Sequence, residues 1–179
     1  MANASKGGEF EREICKYLSK WIQGTEKPYI FWRGRGSGAM FTLDENAGDD
    51  FAGDIYLIRP EGKFFADAFA TECKNGYPKT SIDYHLKYNK SDGIKEFWAQ
   101  CCEAAEKTKR YPLLIYRKKG IKPIYVGIDY VVFMKLYVHI KHLRFIHINY
   151  PDTQLPDLYL FGQDEFFDTV TPNMVQTVL

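Results

Sequence analysis

What this chain lacks narrows its class first. No apolar run approaches the roughly 18 consecutive residues that a membrane-spanning helix needs, so no membrane partner is expected. The start, Met1-Ala2-Asn3-Ala4-Ser5-Lys6, runs into glycine and charge rather than an apolar segment. No secretory leader is expected, and the default compartment is the cytoplasm. The cysteines, Cys15, Cys73, Cys101 and Cys102, contain no CxxC pair. That pattern suits neither a zinc framework nor a disulfide scaffold, and small buried apolar residues are the simpler reading. Charge of one sign is not in excess: 24 Lys and Arg face 23 Asp and Glu. Internal repeats, low-complexity tracts and an interdomain linker are also missing, and no GK[ST] ending marks a phosphate loop, so no nucleotide cofactor is expected.

What is present suits one domain spanning residues 1–179. A chain of 179 residues, 45% apolar and 26% charged, can bury a full core. Its charge is unevenly distributed. Lys107, Lys109, Arg110, Arg117, Lys118, Lys119 and Lys122 form a basic stretch, while acids gather at 44–54. Such a chain can hold a polyanion and a metal together, or simply carry two solvated runs.

Periodicity orders the elements. Phe10, Ile14, Leu18, Trp21 and Ile22 recur at helical spacing after Ser5, a plausible N-cap, and Gly24 ends that helix. Residues 29–32 read as a strand, and 34–53 as a long glycine-rich, acidic loop of the kind that is usually functional. Residues 55–58 and 64–74 read as two strands of a hairpin about the turn Pro60-Glu61-Gly62. A polar loop over 75–92 precedes a second helix over 93–109, which Pro112 breaks. Strands follow at 113–116 and 124–128. A short helix and a last strand fit 129–148, and the tail from Pro151 is weakly patterned. The order α-β-β-β-α-β-β predicts a mixed α/β sheet flanked by helices.

The chemistry centres on Asp54, then seventeen intervening residues, then Glu72-Cys73-Lys74. On a strand Glu72 and Lys74 project to one face and Cys73 to the other. Asp54, opening the neighbouring strand of the expected hairpin, would approach Glu72. Two carboxylates converging this way suit a hard divalent cation such as Mg²⁺, and the Cys73 carbonyl can add a ligand. Lys74 beside them can orient a water and neutralise a phosphate. The plainer alternative is a surface Glu–Lys pair worth about 0–1 kcal/mol. Glu11 falls on the apolar stripe of the first helix, where an ionised carboxylate needs a cation or an Arg unless the helix dipole suffices. Arg33 and Arg35 among glycines can grip phosphate or remain solvated.

Taken together, Lys6-Gly7-Gly8-Glu9-Phe10-Glu11-Arg12-Glu13, Arg33-Gly34-Arg35-Gly36-Ser37, Gly53-Asp54-Ile55, Glu72-Cys73-Lys74 and the helix leading to Pro112-Leu113-Leu114-Ile115-Tyr116-Arg117 resemble the PD-(D/E)XK nuclease superfamily. Within it they are most similar to archaeal-type and phage Holliday-junction resolvases. The resemblance covers about residues 5–128 and leaves 129–179 as a C-terminal extension. It implies a restriction-endonuclease-like sheet with an α-β-β-β-α-β core. It also implies a DNA endonuclease dependent on Mg²⁺, with Mn²⁺ substituting. Asp54 and Glu72 would bind metal with the Cys73 carbonyl, Lys74 would be the catalytic lysine, and Glu11 would support the metal site. Lys6, Arg12, Arg33 and Arg35 would contact DNA, and Gln100 is a weaker candidate on the flank of the second helix. The expected partner is branched duplex, cut by a homodimer in a bacterial, archaeal or phage-infected cell. A restriction-type or non-specific nuclease, or a catalytically silent DNA-binding module, would use the same core. The stretch between Ser37 and Asp54 is longer than the family pattern and adds Asp44, Asp49 and Asp50 as rival ligands.

Overall fold

The structure, a computed structural model, describes residues 3–34, 53–76, 93–118, 120, 122–151 and 153–179. Helix α1 (Asn3–Gln23) leads to β1 (Phe31–Arg33), and β2 (Ile55–Leu57) pairs antiparallel with β1. A 3₁₀ turn (Pro60–Gly62), a short helix α2 (Lys63–Ala68) and β3 (Phe69–Asn75) follow. Helix α3 (Gly93–Thr108) precedes β4 (Tyr111–Arg117) and β5 (Ile124–Ile128). The chain continues through α4 (Tyr130–Ile140), β6 (Phe145–Ile148), β7 (Leu158–Gly162), α5 (Gln163–Thr169) and α6 (Pro172–Val178).

Five strands form the main sheet, in the order β3-β4-β5-β7-β6. Only β3 and β4 run parallel, joined by a connection that includes α3, as a parallel pair requires. The expected mixed sheet flanked by helices is therefore present, and the fold is restriction-endonuclease-like. Two apolar layers sandwich the sheet. One holds Phe10, Ile14, Leu18, Leu113, Ile115, Val126 and Phe161 beneath α1. The other holds Leu114, Tyr116, Leu158 and Leu160 against Ile94, Phe97, Trp98 and Cys101 of α3. Strand alternation thus sends Leu113 and Ile115 one way and Leu114 and Tyr116 the other.

Three expectations need correction. The hairpin over 54–74 does not form. Residues 63–68 are helical, with Phe65 turned inward and an exposed Lys63–Asp67 pair at helical spacing, while β2 belongs to a separate two-stranded ribbon with β1. Pro112 does not end α3. It lies inside β4, opposite Ala70, and the helix stops where Lys109 takes a φ of 55°. The weakly patterned tail supplies β7, which lies between β5 and β6 in the sheet. Cys15, Cys73 and Cys101 are buried and Cys102 is half-buried, all as free thiols. The expected loops at 34–53 and 75–92 fall almost wholly outside the described residues.

Candidate active site

Strand β3 lies at one edge of the main sheet, and this edge organises the acids. Gly53 forms a parallel bridge to Thr71. The Asp54 N–H donates to the Thr71 carbonyl at 2.8 Å, and Asp54 Oδ2 accepts from the Cys73 N–H at 2.8 Å. Asp54 therefore reaches Glu72 across a strand edge, not along a hairpin. Gly53 makes this approach possible. Its φ is +96°, and a Cβ there would fall within the backbone of Thr71. Because a strand residue presents its N–H and C=O to the same edge, the Cys73 carbonyl also opens on the Asp54 side.

Glu72 and Lys74 share one face, as alternation requires. They pair with Leu114 and Tyr116 in register, and so point toward α3. The Lys74 Nζ lies 2.5 Å from Glu72 Oε1, with side chains only 17% and 14% exposed. The ammonium also sits 5.5 Å from the centre of the Phe97 ring, a partly desolvated cation–π contact. An exposed surface pair would lack this burial, so the plainer reading of Glu72–Lys74 does not describe what forms.

Asp54 is strongly perturbed. Burial pushes its carboxyl up to about 7, and the charge of Glu72 adds to the rise, while the Cys73 N–H bond and Lys74 oppose it. Glu11 is half-buried on α1, and its pKa is also raised, first by burial. Arg33 opposes that rise, Glu72 adds to it, and Arg12 and Lys74 lower it. Glu11 thus lies within electrostatic reach of Arg33, Glu72, Arg12 and Lys74, and Asp54 within reach of Glu72, Glu11 and Lys74. The β1–β2 ribbon accounts for Arg33: it pairs with Ile55, and the Gly34 N–H donates to the Asp54 carbonyl at 2.7 Å. A Cβ on Gly8 would run into the Arg33 guanidinium, so α1 and β1 meet closely at this point.

Glu11 approaches from a different direction. Helix α1 covers the Cys73 side of β3, whereas Glu72 points to the α3 side. Among the described residues no three His, Cys, Asp or Glu side chains are gathered closely enough to hold one ion. Asp54 and Glu72 come together at the β3 edge, with the Cys73 carbonyl on the Asp54 side. Their hard oxygen donors and mutual repulsion are what a divalent cation would relieve, so the donor chemistry fits.

The other candidates are more scattered. Arg12 is half-buried beside Gly8, and Gln100 is exposed on α3. The side chain of Lys6 and all of Arg35, Asp44, Asp49 and Asp50 lie outside the described residues. Arg117, read as part of a basic stretch, turns inward. It pairs with Glu13 at 2.9 Å, donates to Asn75 Oδ1 at 3.2 Å, and lies 4.6 Å over the Phe10 ring. Sequence reasoning missed this role because it depends on β3 and β4 being parallel, which sets Asn75 opposite Arg117.

Residues 2–177 match a family model described as "Phage putative PDDEXK endonuclease". The chain belongs to this family. The match covers nearly the whole chain, including the C-terminal part that the sequence motifs do not reach. Nucleases of the PDDEXK type usually use divalent metal ions, and an endonuclease acts on nucleic acid. No curated protein and no solved structure matches the chain. Among the described residues, no helix is long and apolar enough to cross a membrane.

Proposed function

We propose that this protein is a Mg²⁺-dependent DNA endonuclease, formed as one domain over residues 1–179, that cuts branched duplex in the cytoplasm of its host cell. Asp54, Glu72 and the Cys73 carbonyl would hold the ion, with Glu11 supporting the cluster from α1. A bound divalent ion would supply an activated water and a Lewis acid facing the phosphate, and Mn²⁺ would substitute for Mg²⁺. Lys74 carries the remaining positive charge, aimed to orient the attacking water and to stabilise charge building on the phosphate. Arg12 and Arg33, with Lys6 and Arg35, would fix the DNA backbone by charge-assisted hydrogen bonds. Gln100 has the weakest support.

One observation carries this reading. The Asp54 carboxyl, largely withdrawn from solvent at the β3 edge, is pushed up in pKa first by that burial and then by the charge of Glu72, while Lys74 contacts Glu72. Perturbed carboxylates held beside a specific charge partner cluster at functional sites. The preference for a four-way junction, and the homodimer in which each subunit cuts one strand, rest on the motif resemblance.

The test is cleavage of a four-way junction beside a linear duplex of the same sequence, with Mg²⁺ or with chelator. Metal-dependent cutting of the junction, absent in Glu72→Ala, is expected. Equal cutting of linear duplex would replace the junction preference with a restriction-type or non-specific activity. Salt-sensitive binding with no cutting in Mg²⁺ or Mn²⁺ would make the protein a binding module.

A further inference from the structure

Far from the acids, at the opposite edge of the sheet, most of the exposed large apolar side chains among the described residues gather. Of the eight large hydrophobic side chains exposed among the described residues, all but Ile58 fall between Tyr130 and Ile146. Helix α4 buries Val132, Phe133, Leu136 and Ile140 against the core. Its outer face is apolar as well, with Tyr130, Val131, Met134, Tyr137 and Val138 between 43% and 73% exposed. A helix apolar on both faces is one that is covered on both faces. Beside it runs β6, the outer strand of the sheet, carrying Phe145 at 40% and Ile146 at 39% exposure. Solitary proteins usually guard such an edge with charge, proline or a bulge, and Phe145-Ile146-His147-Ile148 contains no proline.

We propose that α4 and β6 form the interface between two copies of this chain, related by a two-fold axis. This names the surface for the homodimer reading above and rests on it. A two-fold axis sets an edge strand antiparallel to its own copy, so β6 can continue the sheet and α4 can pack on its counterpart. Each exposed apolar side chain leaves on the order of 100 Å² to cover, by the usual size of such groups. The six on the α4 side of the sheet then offer about 600 Å², and pairing along the β6 edge, where Ile146 turns to the other face, adds toward the ~800 Å² per partner of a standard stable interface. Part of the positive charge beside this surface is met within the chain, Lys135 donating to the Val178 carbonyl at 3.3 Å. No acid lies between Tyr130 and Pro151, yet Arg144 pairs with Glu165 at 2.9 Å and His147 with Asp157 at 2.7 Å. In the dimer the two β3 edges, with their acids, lie at opposite ends of one continuous sheet.

Light-scattering mass of the full chain decides the matter. The wild type is expected at twice the chain mass, and so is Ile58→Glu, which alters an exposed apolar residue outside the patch. Val138→Glu combined with Ile146→Glu is expected at the single-chain mass with its circular dichroism unchanged. If the double variant loses its fold, Val138→Lys at the most exposed position is read by the same two masses. A wild type at single-chain mass over a wide concentration range overturns the homodimer reading itself. A wild type at twice that mass whose folded variants stay there overturns only this choice of face.

Discussion

At the scale of single residues, two positions carry the account. Lys74 contacts Glu72 on the α3 side of β3, where it can serve the reaction without holding the fold together. Lys74→Ala should keep DNA affinity, read by fluorescence anisotropy, while cleavage falls by roughly 10²–10³, the usual loss for one charge-stabilising group. A full-rate Lys74→Ala enzyme would remove this lysine from the mechanism. Gly53 is the second. An added methyl would meet Thr71 backbone at a positive φ, so Gly53→Ala must move Asp54 away from Cys73. Cleavage should collapse while much of the fold persists by circular dichroism, and unchanged cleavage would mean that the Asp54 approach is looser than described. That Glu72 and Lys74 share one face was legible because alternation along a strand is local. The route by which Asp54 reaches Glu72 was not, since a bridge between Gly53 and Thr71 is set by tertiary packing.

At the scale of elements, the misread segment explains itself physically. Phe64-Phe65-Ala66-Asp67-Ala68 has apolar content that suits a strand, but Pro60 opens a tight turn and Lys63 reaches Asp67 one turn on. Phe65 is then the residue that turns into the core, and the strand begins only at Phe69. The register of α1 against the sheet rests on similarly non-local links. The Ser19 hydroxyl donates to the Cys15 carbonyl at 2.7 Å and accepts from the Ile30 N–H at 3.0 Å, joining helix to ribbon. Arg117 ties α1 to the end of β3 through Glu13, Asn75 and the Phe10 ring, one residue from Glu11. Arg117→Ala should therefore raise the metal concentration needed for half-maximal cutting more than it lowers the rate at saturating metal. A loss of rate with no change in metal requirement would show that Arg117 supports stability alone.

At the scale of the whole molecule, the segment after Ile128 is part of the sheet's frame. Strands β7 and β6 complete the sheet, and Leu158, Leu160, Phe161, Phe166 and Val175 are buried. Trp21 of α1 donates to the carbonyls of Phe167 and Val170 at 2.9 and 3.2 Å, and Trp98 of α3 donates to Pro156 at 2.8 Å. Both helices that bracket β3 are thus anchored by the C-terminal part. A chain cut after Ile128 should lose cooperative thermal unfolding, because it exposes the β5 edge and removes both anchors. Cooperative melting of that fragment would mean that the core folds without them. This dependence was illegible in the sequence: the tail's apolar residues are divided among a strand and two short helices, so no long period marks them. The α/β class, the two long helices and the strands at 113–116 and 124–128 were legible, since each carries its own periodicity.

The central physical claim is that Asp54 and Glu72, drawn together at the β3 edge, share one divalent cation. Anomalous diffraction from crystals soaked in Mn²⁺ tests it most directly. The account predicts a single strong peak between these two carboxylates, within coordination distance of the Cys73 carbonyl, that disappears in Asp54→Asn. A peak held instead by Asp44, Asp49 or Asp50, or one that survives Asp54→Asn at the same place, would contradict it.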